Sequence, residues 1–416
     1  MAEEPRPGAF EALRSPAYRR YFSATALTSS GRALQMTIFG YIVFEQTESN
    51  FLLGLFSFMQ MAPALVLAPL VGVIVDAFER RRILATIFTI QSTGFLILTL
   101  LEFSGRLTVP LIGVLVVIMG VAMAFSFPAS SALVPMLIPR RALQSAIAAN
   151  SMLMNTSRIA APALAGYAIS AFGVGAVLAS GAGLYFPAIF IILSVPLAVA
   201  DVARSPDGGA ARARGPARFF GDLREVLGYI RGNHMLRASL VNDIVPFGFG
   251  MAYIALLPAL ALDVLGGDAG TLGLLHGLGG AGSLLGTLSG ALVAGRVPRG
   301  RVIWTGMLGW GLSLMAIALS ASYVVVIPAL ALTGFFQTLY VIQNDTLIQV
   351  FAEDRYRGRV IAAQSMINAL RTLGFLAIGS LAALTTVPLA IAAFGLAVAA
   401  MGIITILFRP AMRDLR

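Results

Sequence analysis

The stretches SALVPMLIPRRALQSAIAANSM (131–152) and DTLIQVFAEDRYRGRVIAAQSM (345–366) align at a fixed offset of 214 residues. Each reads as the end of an apolar helix, a charged turn and the start of the next helix, so the chain carries one arrangement twice. Outward from these turns, runs of about 20 apolar residues recur, the length a helix rising about 1.5 Å per residue needs to cross a hydrocarbon core. Twelve such windows are read, at 21–44, 51–75, 83–103, 109–132, 143–171, 174–200, 236–262, 270–294, 302–321, 324–349, 360–384 and 387–408. The runs are continuously apolar, whereas the strands of a barrel would alternate. The expected fold class is therefore an all-α membrane protein of twelve transmembrane helices in two pseudo-symmetric six-helix bundles.

Composition agrees. Of 416 residues 58% are hydrophobic and 12% charged, against about 25% charged in soluble domains, and the mean hydropathy is +0.86. The net charge of +10 lies in short clusters between apolar runs rather than on one face or arm, so nucleic acid is not an expected partner; membrane lipid is. No cysteine is present, which excludes disulfides, thiolate metal sites and cysteine nucleophiles. The opening MAEEPRPGAF has no basic segment leading into a short apolar one and is not expected to be a cleaved signal peptide.

Arginine placement gives the expected orientation, because basic residues in short loops stay cytoplasmic. Arg80 to Arg82, Arg140 and Arg141, Arg296 to Arg301, and Arg355 to Arg359 fall in even-numbered links, whereas the odd-numbered links hold Arg106 as their basic residue. Both termini are thus expected in the cytoplasm. The chain divides into a cytoplasmic N-terminal segment (1–20), an N-terminal six-helix bundle (21–200), a cytoplasmic linker (201–235), a C-terminal bundle (236–408) and a tail (409–416). The linker is first rich in Ala, Gly, Pro and Arg, then amphipathic in FFGDLREVLGYIRGNHML, which predicts a short helix at the cytoplasmic membrane surface. Parallel repeats of this kind place a substrate site between two bundles near the midplane.

The link after the second window reads Gly72-Val-Ile-Val-Asp76-Ala-Phe-Glu-Arg80-Arg81-Arg82 and resembles the signature loop of the major facilitator superfamily. The resemblance implies that Gly72, Asp76, Arg80 and Arg81 form a gating loop, since one acid and several arginines can bond to helix ends in one state and release them in another. Ala77 stands where a basic residue is usual, and Glu79 where Gly is usual. The second-half counterpart has Ala294 in place of the acid. The fifth window resembles the family's antiporter signature at Ala148, Ser157, Ala161, Pro162, Ala165 and Gly166, with small residues at the glycine positions and Pro162 permitting a bend. From LRSPAYRRYF (13–22) through DRYRGRV (354–360) the chain is similar to the macrolide-efflux and enterobactin-exporter branch. That likeness implies a bacterial inner-membrane exporter of a small amphipathic molecule (drug, siderophore or secondary metabolite), driven by proton antiport, without a cofactor and acting as a monomer.

Ionisable residues inside spans cost about 2.5–3.5 kcal/mol each on insertion scales and are functional hypotheses by default. Five stand well clear of the window ends: Arg32, Arg158, Asp243, Asp345 and Arg371, with Arg158 and Arg371 spaced 213 apart, one short of the repeat offset. Arginine keeps its proton at all relevant pH, so Asp243 and Asp345 are the proton-coupling candidates, and the arginines, which outnumber them, favour amphipathic or anionic compounds. His276 is a further relay candidate. In the eighth window Gly282, Gly286 and Gly290 make a small-residue stripe suited to close helix contact, expected to face the fifth.

Three other readings stay open. A membrane enzyme lacks paired histidines, a GxSxG elbow and a GxxxxGK loop, and no metal site is expected. A proton-coupled uptake symporter shares every topological feature above, and so does a non-transporting sensor or scaffold.

Overall fold

The computed structural model describes residues 11–196, 216–293, 296–319 and 321–408. Residues 1–10 of the expected N-terminal segment, the first part of the linker and the tail 409–416 lie outside them. The described residues are helical throughout, with no strand among them. In chain order the helices are α1 (Pro16–Thr47), α2 (Asn50–Ala77), α3 (Arg80–Phe103), α4 (Val109–Ala124), α5 (Ser126–Leu137) and α6 (Leu143–Leu193). After the linker come α7 (Pro216–Gly232), α8 (His234–Val245), α9 (Ala269–Val293), α10 (Arg299–Ala318) and α11 (Tyr323–Phe351). The chain ends with α12 (Asp354–Asn368), α13 (Arg371–Leu384) and α14 (Val387–Phe408).

Nine helical segments among the described residues are long and apolar enough to cross a membrane, fewer than the twelve windows. The difference has local causes. Arg19, Arg20 and Arg32 dilute the hydropathy of α1, and glycines dilute that of α9. The 51 residues of α6 count as one segment although Gly173 breaks the helix with φ 80° and ψ 168°. That conformation is open to glycine and strained for other residues, and it falls between the expected windows 143–171 and 174–200.

Residues 234–264 are buried over 78% of their most apolar window, yet they are not one regular helix. Pro246 and Pro258 bring no N–H to the ladder, and α8 passes into a π turn (Pro246–Gly250), a 3-10 turn (Ala252–Leu256) and a second π turn (Leu260–Val264). Such turns re-aim side chains relative to a straight helix and recur at functional sites.

The described residues cluster into two compact units. The first comprises residues up to Ile38, Met59–Ala161 and Ala171–Pro216; the second comprises Phe39–Phe58, Pro162–Ser170 and the chain from Ala217. Two short pieces of the first half in sequence thus pack with the second half in space. Small residues make this possible, because backbones approach closely where no Cβ intervenes. A Cβ on Gly54 would meet the Phe375 carbonyl oxygen, and one on Gly166 would meet that of Ala269.

The amphipathic linker helix α7 buries its apolar face against protein. Val226 and Ile230 pack with Leu236, Leu240, Ile348, Ala352 and Val360, and Tyr229 stacks on Tyr356 at 4.3 Å. Asn233 caps α8 by accepting from the Leu236 amide, and its Nδ2 donates to the Phe351 carbonyl oxygen at 3.3 Å. At the rim Arg359 Nη1 lies 2.7 Å from Glu225 Oε2. Reversing either charge (Glu225→Arg or Arg359→Glu) is expected to cost about 0.2–1 kcal/mol, typical of exposed pairs. The double exchange should restore most of the loss in thermal melting; absence of restoration would show that the pair does not hold α7.

Candidate functional site

The densest buried polar cluster surrounds Asp243, which is fully buried near the end of α8. Tyr340 Oη on α11 donates to Asp243 Oδ1 at 2.7 Å, and Asn344 Nδ2, one turn on, donates to the same oxygen at 2.8 Å. Gln364 Nε2 on α12 donates to Asp243 Oδ2 at 3.1 Å and also to Asp345 Oδ1 at 2.6 Å. A single amide nitrogen, with one hydrogen for each carboxylate, therefore joins the two aspartates singled out in the sequence. Asn344 Nδ2 also reaches the Ser239 carbonyl oxygen at 3.1 Å, and Thr405 Oγ1 on α14 donates to Asn242 Oδ1 at 3.3 Å. These groups occupy four helices. Tyr340 and Asn344 share a face of α11 because they are four residues apart, and the π turn begins at Pro246, just after Asp243.

Every one of these contacts to Asp243 comes from a neutral donor. A carboxylate satisfied by neutral N–H and O–H groups carries its charge without a fixed counter-ion. It is chemically free to exchange that charge for a proton, whereas a carboxylate locked to arginine would hold it. Asp345 is half-buried and Gln364 is buried.

Of the intramembrane arginines, Arg32 belongs to the first unit and Arg371 to the second. Arg32 is half-buried in the middle of α1, close enough to act electrostatically on the Tyr185 hydroxyl. Arg371 opens α13, half-buried, just past the break after Asn368. The Arg158 side chain lies outside the described residues. His276 is half-buried on α9.

The expected gating loop is mostly helix, since Gly72 and Asp76 lie in the last turns of α2 and Arg80 to Arg82 open α3; Gly72 is exposed, and beyond its own helix a Cβ there would meet nothing within 4 Å among the described residues. Asp76 is 54% exposed and 3.9 Å from Arg80 Nη2. The short contacts belong to Glu79, which lies 2.7 Å from both Arg81 Nη2 and Arg82 Nε. Arg81 Nη1 also donates to the carbonyl oxygens of Leu193 at 3.1 Å and Val195 at 2.9 Å, at the C-terminal end of α6. A cation there satisfies orphan carbonyls and complements the helix dipole. Glu79→Gln is expected to lower stability by at most about 1 kcal/mol, while Arg81→Ala, which also frees two carbonyls, lowers it more. Equal melting temperatures for the two variants would refute this ranking.

On α6, Ala148 is exposed, Ser157 is buried and Ala161 is half-buried in the first unit. Pro162, Ala165 and Gly166 are buried in the second, where a Cβ on Gly273 of α9 would stand 2.9 Å from the Pro162 carbonyl oxygen. Close by, Ser170 Oγ donates to Asp268 Oδ2 at 2.8 Å and accepts from the Gly270 amide at 3.0 Å. The Thr271 amide first, then Ser170, hold the Asp268 carboxyl below the usual carboxylate range, so this cap of α9 stays ionised near neutral pH. The Gly282 and Gly286 positions of the α9 stripe meet the carbonyl oxygens of Ala331 and Phe335 on α11 instead of α6. The stripe expected to face the fifth window therefore faces the tenth, because α9 is glycine-rich on more than one side.

Gln364, Tyr340 and Asn344 did not stand out among the polar residues of the sequence. One signal was present: Gln364 lies inside the repeat, at the position that the 214 offset matches to Asn150.

A protein-family profile described as transmembrane secretion effector, of the major facilitator type, matches residues 7–415. Macrolide efflux protein A of Streptococcus pyogenes is 25% identical over 81% of this chain and 82% of its own length. The staphyloferrin A transporter of Staphylococcus aureus is 21% identical over 86% and 87%. The multidrug efflux pump Tap of Mycobacterium bovis is 25% identical over 97% and 95%. Among solved structures, the nucleoside transporter NupG superposes with a TM-score of 0.72 at 12% identity, over 96% of this chain and 100% of that one. A bacterial homolog of the human lysosomal transporter Spinster superposes with a TM-score of 0.69 at 15% identity, over 96% of each chain. From the profile match over nearly the whole length, together with the helical fold, this chain belongs to the transmembrane secretion effector family of major facilitator transporters, multi-pass proteins of the bacterial inner membrane and not enzymes.

Proposed function

We propose that the chain exports a small amphipathic molecule by proton antiport through alternating access, with Asp243 as the coupling carboxyl and Asp345 as its partner. The observation that carries this reading is the buried Asp243 held by three neutral donors, one of which, Gln364, also holds Asp345. Protonation would remove a charge from the low-dielectric interior and loosen the bonds that tie α8 to α11 and α12, so occupancy by a proton favours a different packing of these helices. Export is favoured over uptake by the relatives' names, two of which are efflux proteins. Twelve spans follow if α1 and α9 cross the membrane and α6 crosses twice about Gly173, and the arginine-bearing links then place both termini in the cytoplasm. In this reading Arg371 serves substrate binding, and the chain acts as a monomer.

Inverted vesicles with an acid interior test it, with a labelled macrolide as the first probe, followed by siderophores. Uptake that collapses on adding a protonophore is the expected result. Uptake indifferent to the protonophore, or driven only by the opposite gradient, would overturn antiport.

A further inference from the structure

Arg32 sits in the middle of α1, and among the described residues no side chain or carbonyl forms an ion pair or hydrogen bond with it. A guanidinium at that depth is costly unless something completes it. Two more donors are in the same position. Gln35 Nε2, one turn along α1 on the same face, is buried without a hydrogen-bond partner, and so is Tyr185 Oη. Gln35 and Tyr185 are each 1% exposed.

The three converge. A Cβ on Gly31 would stand 2.6 Å from Tyr185 Cε2 and 3.2 Å from Cζ, so the hydroxyl-bearing end of the ring lies against α1 beside Arg32. Phe88 and Phe95 of α3 hold the ring from another side, at 6.3 and 6.0 Å between centroids. All of these residues belong to the first compact unit. A permanent cation, an amide NH2 and a phenol O–H can all donate, and leaving the half-buried cation and the two buried donors unmet costs free energy. A water molecule could accept from two of these donors but supplies no charge.

We propose that Arg32, Gln35 and Tyr185 form a binding site for the anionic oxygen head group of an amphipathic molecule, a carboxylate, phosphate or sulfonate. Phe88 and Phe95 hold the Tyr185 ring in place for it. The site names a substrate class for the export reading and rests on it for the direction of transport alone.

Equilibrium binding to the full chain in phosphatidylcholine nanodiscs, with no proton gradient, tests the site separately from coupling by Asp243. The probes are 8-anilinonaphthalene-1-sulfonate and N-phenyl-1-naphthylamine, which shares the rings without the sulfonate. Arg32→Gln is expected to weaken sulfonate binding about tenfold and Tyr185→Phe about threefold, as charge-assisted and neutral donors differ. The neutral probe should stay within about twofold. Tyr185→Phe keeps the ring packing, so it remains informative where Arg32→Gln impairs folding. Equal weakening of both probes, no weakening of either, or no sulfonate binding above that of empty discs would overturn the site. Discs containing phosphatidylglycerol identify the source of the anion. Unchanged sulfonate affinity assigns the site to a soluble amphipathic anion, and competition that disappears in Arg32→Gln assigns it to a lipid phosphate.

Discussion

Asp243→Asn is expected to reduce gradient-driven export in vesicles by about a hundredfold or more, the scale of losing a positioned proton-transfer group, while the protein folds and still binds its cargo. The amide keeps the shape of the side chain but offers one acceptor where the carboxylate offers two. Two bonds can survive at the oxygen that now receives Tyr340 and Asn344, whereas Gln364 Nε2 would meet an NH2. The variant cannot alternate between charged and neutral forms, so substrate exchange without a gradient should persist as net export fails. Tyr340→Phe removes one hydrogen bond to a charged group, worth about 1.5–3 kcal/mol, and should shift the pH dependence of export without abolishing it. Wild-type coupling in Asp243→Asn would remove this residue from the mechanism.

Gly282→Val is expected to prevent accumulation of folded protein. A Cβ at Gly282 would run into the Ala331 carbonyl oxygen, and at Gly334 on the facing helix into that of Gly279. Ser283 Oγ, between them, donates to the Gly279 carbonyl oxygen at 3.0 Å. Helices α9 and α11 thus touch backbone to backbone, where a carbonyl cannot move aside as a side-chain tip can. Overpacking there costs about 3 kcal/mol or more. Gly290 supplies the control on the same stripe, since its Cβ would find only Leu339 Cδ2 at 3.6 Å. Gly290→Ala should melt within a degree or two of wild type in detergent. Equal stability of the two variants would refute the close crossing.

These expectations depend on different kinds of information. The all-helical fold, nine of the apolar spans and the doubled turn with its arginines were legible in the sequence, because the free energy of placing a segment in lipid is a sum over its own residues. Asp243 and Asp345 were legible for the same reason: a carboxylate in an apolar run is costly wherever the run packs. Glu79, noted in the sequence only as a departure from a signature, became the acid that holds Arg81 and Arg82 once the chain was folded.

What the tertiary structure alone decided is which polar groups meet. Gln364 reaches Asp243 across 121 residues and Asp345 across 19, and Tyr185 comes to rest beside Arg32 from the far end of α6. Side-chain direction depends on each helix's rotation about its axis, and in 234–264 two π turns and a 3-10 turn reset that rotation. No window of sequence encodes it, because packing of the neighbouring helices sets it. The repeat that opens at Asp345 and runs past Gln364 was visible in the sequence by itself; only packing made those two residues partners.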